Sequence, residues 1–240
     1  MRISENNRAA NGTGAGMKRR TLVKGAVWSV PVVAAVVATP LAAASVCIEP
    51  VGILDWGSNF ARTGTDGGTG TVTTDSGQTV TYAVSITYGP NVTPVATSPQ
   101  ILPDSLVLNS LIVTPRGDTA IDANFQQTIS IVFDTPVENL TFRVRDIDAV
   151  TTGATTIIRE AVRVPGAIAT PGSEMVLDSG FYRPRTPVAI PDSDLRYSVQ
   201  YGFADPRNAV TIEWQSPATA GAVGRNPGFF IDNMSFTLPC

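Results

Sequence analysis

The chain has 240 residues, of which 15% are charged and 43% hydrophobic, with two cysteines and no histidine. Residues 1–44 hold six Lys/Arg and one Glu, which leaves eleven Arg, nineteen Asp/Glu, no Lys and a net charge of −8 for residues 45–240. An acidic domain repels phosphate backbones, and one without His or Lys has no imidazole base, no Schiff-base amine and no P-loop lysine, so nucleic-acid binding and most nucleophilic catalysis are excluded as expectations.

Residues 1–44 read as an address. Lys18-Arg19-Arg20 is followed by an Ala/Val-rich stretch from Gly25 to Leu41, and Ala42-Ala43-Ala44 supplies small residues for cleavage between Ala44 and Ser45. This is the basic, apolar, small-residue order of a signal peptide. Arg19-Arg20-Thr21-Leu22-Val23-Lys24 resembles the twin-arginine export motif, although Lys18 stands where that motif prefers Ser or Thr, which keeps the general secretory route open. Met17 is an alternative start. A retained membrane anchor would need ~20 unbroken apolar residues, and Ser29, Pro31 and Pro40 interrupt this stretch. A lipoprotein would use Cys47, but Val46 precedes it where a small residue is needed. The expected product is a secreted or cell-surface domain over 45–240, with no membrane attachment after processing.

Along that domain apolar and polar residues alternate. Val80, Tyr82, Val84, Ile86 and Tyr88 share one parity; so do Ile129, Ile131 and Phe133; Leu140, Phe142 and Val144; Leu195, Tyr197, Val199 and Tyr201; Val210, Ile212 and Trp214; and Met234, Phe236 and Leu238. Period two with one apolar face predicts half-buried antiparallel strands. Further strands are expected near 51–56, 105–113, 156–164 and 174–178. Turn sequences separate them, among them Thr65-Asp66-Gly67-Gly68, Asp75-Ser76-Gly77, Pro115-Arg116-Gly117-Asp118 and Asp205-Pro206-Arg207-Asn208. Many short strands with regular turns predict an all-β fold, a two-sheet antiparallel sandwich of jelly-roll type. In an exported protein Cys47 and Cys240 read as one disulfide, which requires the first and last strands to lie side by side.

The run Ser130-Ile131-Val132-Phe133-Asp134-Thr135-Pro136-Val137-Glu138-Asn139-Leu140-Thr141-Phe142-Arg143-Val144-Arg145-Asp146-Ile147-Asp148 resembles a phrase of bacterial secreted and surface β-sandwich domains, in which a strand ends in Pro-Val, a tight link follows, and the next strand ends in Asp-Ile-Asp. Asp55-Trp56-Gly57 and Phe230-Ile231-Asp232-Asn233-Met234-Ser235-Phe236 resemble that group's opening and closing strands. The resemblance implies the architecture of jelly-roll carbohydrate-binding and adhesive modules, which says little about ligand.

Two constellations could carry chemistry. In an extended strand Asp146 and Asp148 would project from one face about 7 Å apart, and Asp232 shares parity with Met234 and Phe236. Carboxylates on a core-facing row need a partner. Calcium, which takes six to eight oxygens, is one candidate, with Glu49, Asp55 and Asp232 as further ligands by position; turn capping or pairing with Arg143, Arg145 or Arg159 is the other. The second constellation is Phe181-Tyr182-Arg183-Pro184-Arg185, read as a loop between Ser179-Gly180 and a Pro-rich stretch, where Phe181, Tyr182, Arg183 and Arg185 could contact a ligand or where one buried Phe could pin the loop. Trp214 and Tyr197 read as core. No Gly-x-Ser-x-Gly elbow, phosphate loop or local catalytic carboxylate motif is present. The expected function is an exported binding or adhesive module, with a glycan or a cell-surface protein as partner. A cell-envelope structural protein is the alternative, and an Asp/Glu-dependent glycoside hydrolase a further one.

Overall fold

The computed structural model describes residues 48–90, 92–112, 124–152, 155–186, 191–217 and 226–240. Lys18 to Lys24, Ala44, Ser45, Cys47 and the turn at 115–118 therefore lie outside the described residues. A compact unit runs from Val46 to Cys240.

In chain order the strands are β1 (Val51–Leu54), β2 (Phe60–Arg62), β3 (Gly67–Thr73), β4 (Thr79–Tyr88), β5 (Val92–Pro94), β6 (Gln100–Ile101), β7 (Ser105–Ile112), β8 (Asn124–Arg145) and β9 (Ala149–Thr152). They continue as β10 (Thr155–Arg159), β11 (Ala161–Arg163), β12 (Ile168–Pro171), β13 (Met175–Asp178), β14 (Phe181–Pro184), β15 (Val199–Phe203), β16 (Arg207–Pro217), β17 (Gly228–Asp232) and β18 (Met234–Thr237). Among the described residues every strand pairing is antiparallel; most strands fall into two layers joined through β8; β9 and β10 pair only with each other; and the N- and C-terminal strands are adjacent. This is a jelly-roll-like β-sandwich. The first sheet runs β2-β3-β4-β8-β16-β11-β14-β13. The second runs β12-β15-β8, then the β17–β18 segment, which carries β7 beside β17 and β1 beside β18.

Strand β8 belongs to both sheets. Its first half pairs with β4 and β16, and its second half with β15, β17 and β18. The crossing falls at Asp134 to Asn139. Asn139 has a left-handed backbone (φ 49), a conformation that Asn tolerates better than most residues. The partner ladders slip at Asn208 and between Ser235 and Thr237. Pro136 is exposed in this stretch, where its missing N–H breaks no ladder. The expected link between two strands is thus a bend within one strand of 22 residues.

The expected parities carry the core. Val80, Tyr82, Val84 and Ile86 on β4, Ile129, Ile131 and Phe133 on β8, and Val210, Ile212 and Trp214 on β16 are all buried. Cross-strand register lines them up as Ile86, Ile129 and Ile212, and as Val84, Ile131 and Val210. The sheets meet through aromatic contacts: Phe133 lies 5.8 Å from Phe236, and Trp214 stacks on Phe229 at 6.1 Å. Such pairs add about 0.5–1.5 kcal/mol each beyond the area they bury.

Three local expectations are corrected. Leu195 and Tyr197 lie in a short 3-10 turn capped by Asp194, leaving Leu195 exposed, and strand β15 starts only at Val199. The segment near 51–56 stops at Leu54, because the Asp55 carboxylate accepts from Gly57 N at 2.9 Å and from Ser58 Oγ at 2.9 Å, capping a four-residue helix, Trp56–Asn59. The Phe181 to Arg185 segment is largely strand rather than loop: β14 pairs with β13 on one side and with β11 on the other.

Candidate functional site

Strand β14 sends alternate side chains to opposite faces of the first sheet. Tyr182 lies opposite Val162, which is fully buried, so it points toward the interior at the open edge between the sheets. Phe181 points the other way, where the Arg163 guanidinium sits 4.4 Å from its ring centre. Arg163 in turn donates through Nε to Glu213 Oε2 at 2.7 Å, with Nη2 at 2.6 Å from the same oxygen. Both residues belong to directly paired positions of β11 and β16, so the ladder itself sets this ion pair. The Phe181 face is covered by Arg163 and is not a free platform.

Hollows open on either side of the Arg163–Glu213 pair. The larger, about 590 Å³, lies where β11 and β12 diverge, with Tyr182, Tyr201, Arg163 and Glu213 on its walls and Gly166, Ala167 and Ala169 among its lining. Its size falls in the range of small-molecule sites. Tyr182 is half-buried, whereas Tyr201 is 1% exposed and donates its hydroxyl to Val162 O at 3.4 Å. Burial holds the Tyr201 hydroxyl far above the ordinary tyrosine range, so it stays a neutral donor. The smaller hollow, about 180 Å³, is lined by Gln126, Thr128, Gln215 and Phe181 together with Arg163 and Glu213. Amide, hydroxyl, guanidinium and carboxylate groups thus surround one short ridge, a set that offers both donors and acceptors.

Arg183 lies at the far end of β14. It is ion-paired with Asp178 and lowered in pKa, first by burial and then by the neighbouring Arg159 charge. Arg159 donates through Nη2 to the carbonyls of Pro184 (2.8 Å) and Arg185 (3.5 Å). Arg185 is exposed, and its backbone N–H donates to Glu174 O at 2.7 Å.

Of the carboxylates singled out by sequence, Asp146 and Asp148 stay close enough to influence each other, whereas Glu49, Asp55 and Asp232 each have their own partners. Glu49 accepts from Asn139 Nδ2 at 3.2 Å and Thr237 Oγ1 at 3.0 Å; Asp55 caps its helix. Asp232 accepts from Arg145 Nε at 2.6 Å, and Arg145 also donates to Asp192 O and Ser105 Oγ, approaches Asp104, and lies over the Phe230 ring at 4.5 Å. Asp146 does not continue strand β8. It takes a left-handed backbone (φ 61) that ends the strand at Arg145. Among the described residues no group of three or more acidic, Cys or His side chains is placed to hold a metal ion.

Glu160, like Glu213, had no role in the sequence reading. Glu160, 1% exposed, accepts from Asp148 N and Gly228 N, each at 3.1 Å, while its own N–H donates to Asp148 O at 2.9 Å. It ties the β10–β11 junction to the segment after β8 and to the start of β17. Burial, then the Asp148 charge, raises its carboxyl well above the usual range. Asp146 is pushed up to about 7 by burial and by the charges of Asp148 and Asp192, against Arg145. A Glu between Ile157-Ile158 and Ala161-Val162 was the available signal. Buried and bonded to two backbone amides, the Glu160 carboxyl ties these segments together.

No family model and no curated protein sequence matches the chain. Among solved structures it is similar to a carbohydrate-binding module, TmCBM27, studied for specific mannan recognition, at 12% identity and a TM-score of 0.29 over 78% of this chain and 96% of that one. A likeness this loose says nothing about what this chain binds.

Proposed function

We propose that this chain is an exported, non-catalytic binding module whose ligand is a glycan. The supporting observation is the pair of hollows flanking Arg163 and Glu213: a half-buried Tyr182 ring on one side, and Gln126, Thr128 and Gln215 on the other. A sugar presents an apolar ring face and a rim of hydroxyls. Tyr182 offers the first a stacking surface, and the amides and the ion pair offer the second both donors and acceptors. Export rests on the sequence of residues 1–44. In the proposed mature domain Cys240, which carries no free thiol, is bridged to Cys47, joining ends that already meet: Leu238 N donates to Pro50 O at 2.9 Å, and β1 pairs with β18.

A role in protein contact at the cell envelope is the second reading. It is favoured by the outward row Ile53, Ser235, Thr141, Gly202 and Ile168, which register aligns across the second sheet. The row carries Ile53 at 58% and Ile168 at 73% exposure on its two outer strands.

A glycan-array screen of the purified protein, followed by titration of the best hit against Tyr182→Ala and Glu213→Gln, tests the first reading. Each variant should weaken binding at least about tenfold, equivalent to about 1.4 kcal/mol, with the wild-type melting temperature nearly kept. An array without a hit, or a hit indifferent to both substitutions, would remove the glycan reading at this site.

A further inference from the structure

We propose that Arg159 and Arg183 form a subsite for a single anionic group, so that the module takes an acidic glycan rather than a neutral one. This deepens the glycan reading and rests on it for the sugar part of the ligand; the anion site itself stands on the two arginines. Strand β14 carries Phe181, at the edge of the smaller hollow, and Arg183, two residues on along the same face. Arg159 is brought to the same end of the strand by its bonds to the Pro184 and Arg185 carbonyls. Two guanidinium groups are therefore held near each other, close enough for the charge of Arg159 to weigh on Arg183.

Their charges are not balanced. Arg183 has Asp178, but among the described residues no carboxylate pairs with Arg159, whose side-chain bonds go to backbone carbonyls. The Nε–H groups of both arginines are buried and have no hydrogen-bond acceptor, a state they share with Arg143 and Arg207; what sets these two apart is that they neighbour each other at the end of β14. Charged donors left without acceptors are costly, and like charges in proximity add to that cost. One ligand oxyanion at the solvent-facing side of the two guanidinia would supply the missing negative charge. Arg183 keeps 30% of its side chain exposed, which leaves an approach from solvent. Arginine suits this task because its planar fork matches a carboxylate or sulfate with paired bonds. An anion-binding point is also unexpected in a domain whose net charge is negative, where no general field would draw anions in.

The test uses sulfate, a galacturonic-acid trimer, a sulfated galactose trimer and a neutral galactose trimer on the purified protein. Arginine Nε–H resonances are followed by NMR and affinities by calorimetry. Sulfate should shift the Arg159 and Arg183 Nε–H signals and leave that of Arg143 in place. One of the two acidic trimers should bind at least tenfold more tightly than the neutral one, and which of them does so identifies carboxylate or sulfate as the group. Arg159→Gln should abolish that preference, while Arg159→Lys should keep part of it. Absence of any sulfate shift at Arg159 and Arg183 overturns the subsite, even if Arg159→Gln fails to fold. Equal affinity for acidic and neutral trimers overturns it as well. Sulfate shifts without binding of any trimer would retain the anion site and reject the glycan reading.

Discussion

Raising the pH from 5 to 8 should destabilise this protein, and Asp146→Asn should remove much of that loss. Asp146 goes from an ordinary 3.8 to about 7 on folding, chiefly through burial and then through the Asp148 and Asp192 charges. A carboxyl raised on folding contributes stability that is complete below its unfolded value and is lost as pH climbs through its folded value. The loss therefore falls between about pH 4 and pH 7. A shift of that size corresponds to about 4 kcal/mol at full effect. Asp146 keeps contact with solvent and has Arg145 beside it, so screening cuts this to roughly 1–2 kcal/mol. In a domain of this size that lowers Tm by about 2–8 °C. Glu160, raised in the same direction, adds to the slope. Asparagine is the appropriate replacement because position 146 has a left-handed backbone (φ 61), which Asn accepts. Urea unfolding at pH 5, 6, 7 and 8 on both proteins measures the effect. A wild-type stability that is flat or rises from pH 5 to 8, or a variant with an unchanged slope, would refute the reasoning.

Two further outcomes follow from the packing. Gly70→Ala should destabilise by about 1–3 kcal/mol, because a Cβ there would run into the Asn59 carbonyl and the Tyr82 hydroxyl; an unchanged urea midpoint would show that this part of the sheet yields. Reduction with a thiol should lower Tm markedly, since a bridge closing a loop beyond ~100 residues contributes roughly 5 kcal/mol in the chain-entropy model, less any strain. Identical melting of oxidised and reduced protein would show the bridge to be idle.

The strand faces were legible because a half-buried sheet forces period two on its sequence. On β4 the alternation from Thr79 to Thr87 maps one residue at a time onto exposed and buried positions. The exceptions have physical causes. Leu195 and Tyr197 continue the period of Val199 and Tyr201, yet Asp194 offers its side chain to Arg196 N at 3.1 Å and starts a 3-10 turn instead. The bend in β8 looked like a link because Pro136 and Asn139 are turn residues. The ladders on either side slip there to absorb the extra residues, and the strand crosses from one sheet to the other.

The proposed binding surface was legible in its residues and not in its arrangement. Ser179, Gly180 and Pro184 made the Phe181 segment resemble a loop; in the fold the first two carry positive φ and turn the chain from β13 into β14. Once the segment is a strand, alternation divides the expected cluster: Tyr182 goes to one face, Phe181 and Arg183 to the other. Glu213 could have been assigned outward by its place between Ile212 and Trp214, and Arg163 by its place after Val162. Their pairing needed the register of β11 on β16, across 50 residues of sequence. The same holds for Arg145 and Asp232, 87 residues apart. That ion pair gives a carboxylate on a core-facing parity its partner: the charge at the end of the row is met by an arginine on the neighbouring strand. Asp178 meets Arg183 in the same way from β13. Among the described residues no carboxylate pairs with Arg159, whose Nη2 bonds go to the Pro184 and Arg185 carbonyls.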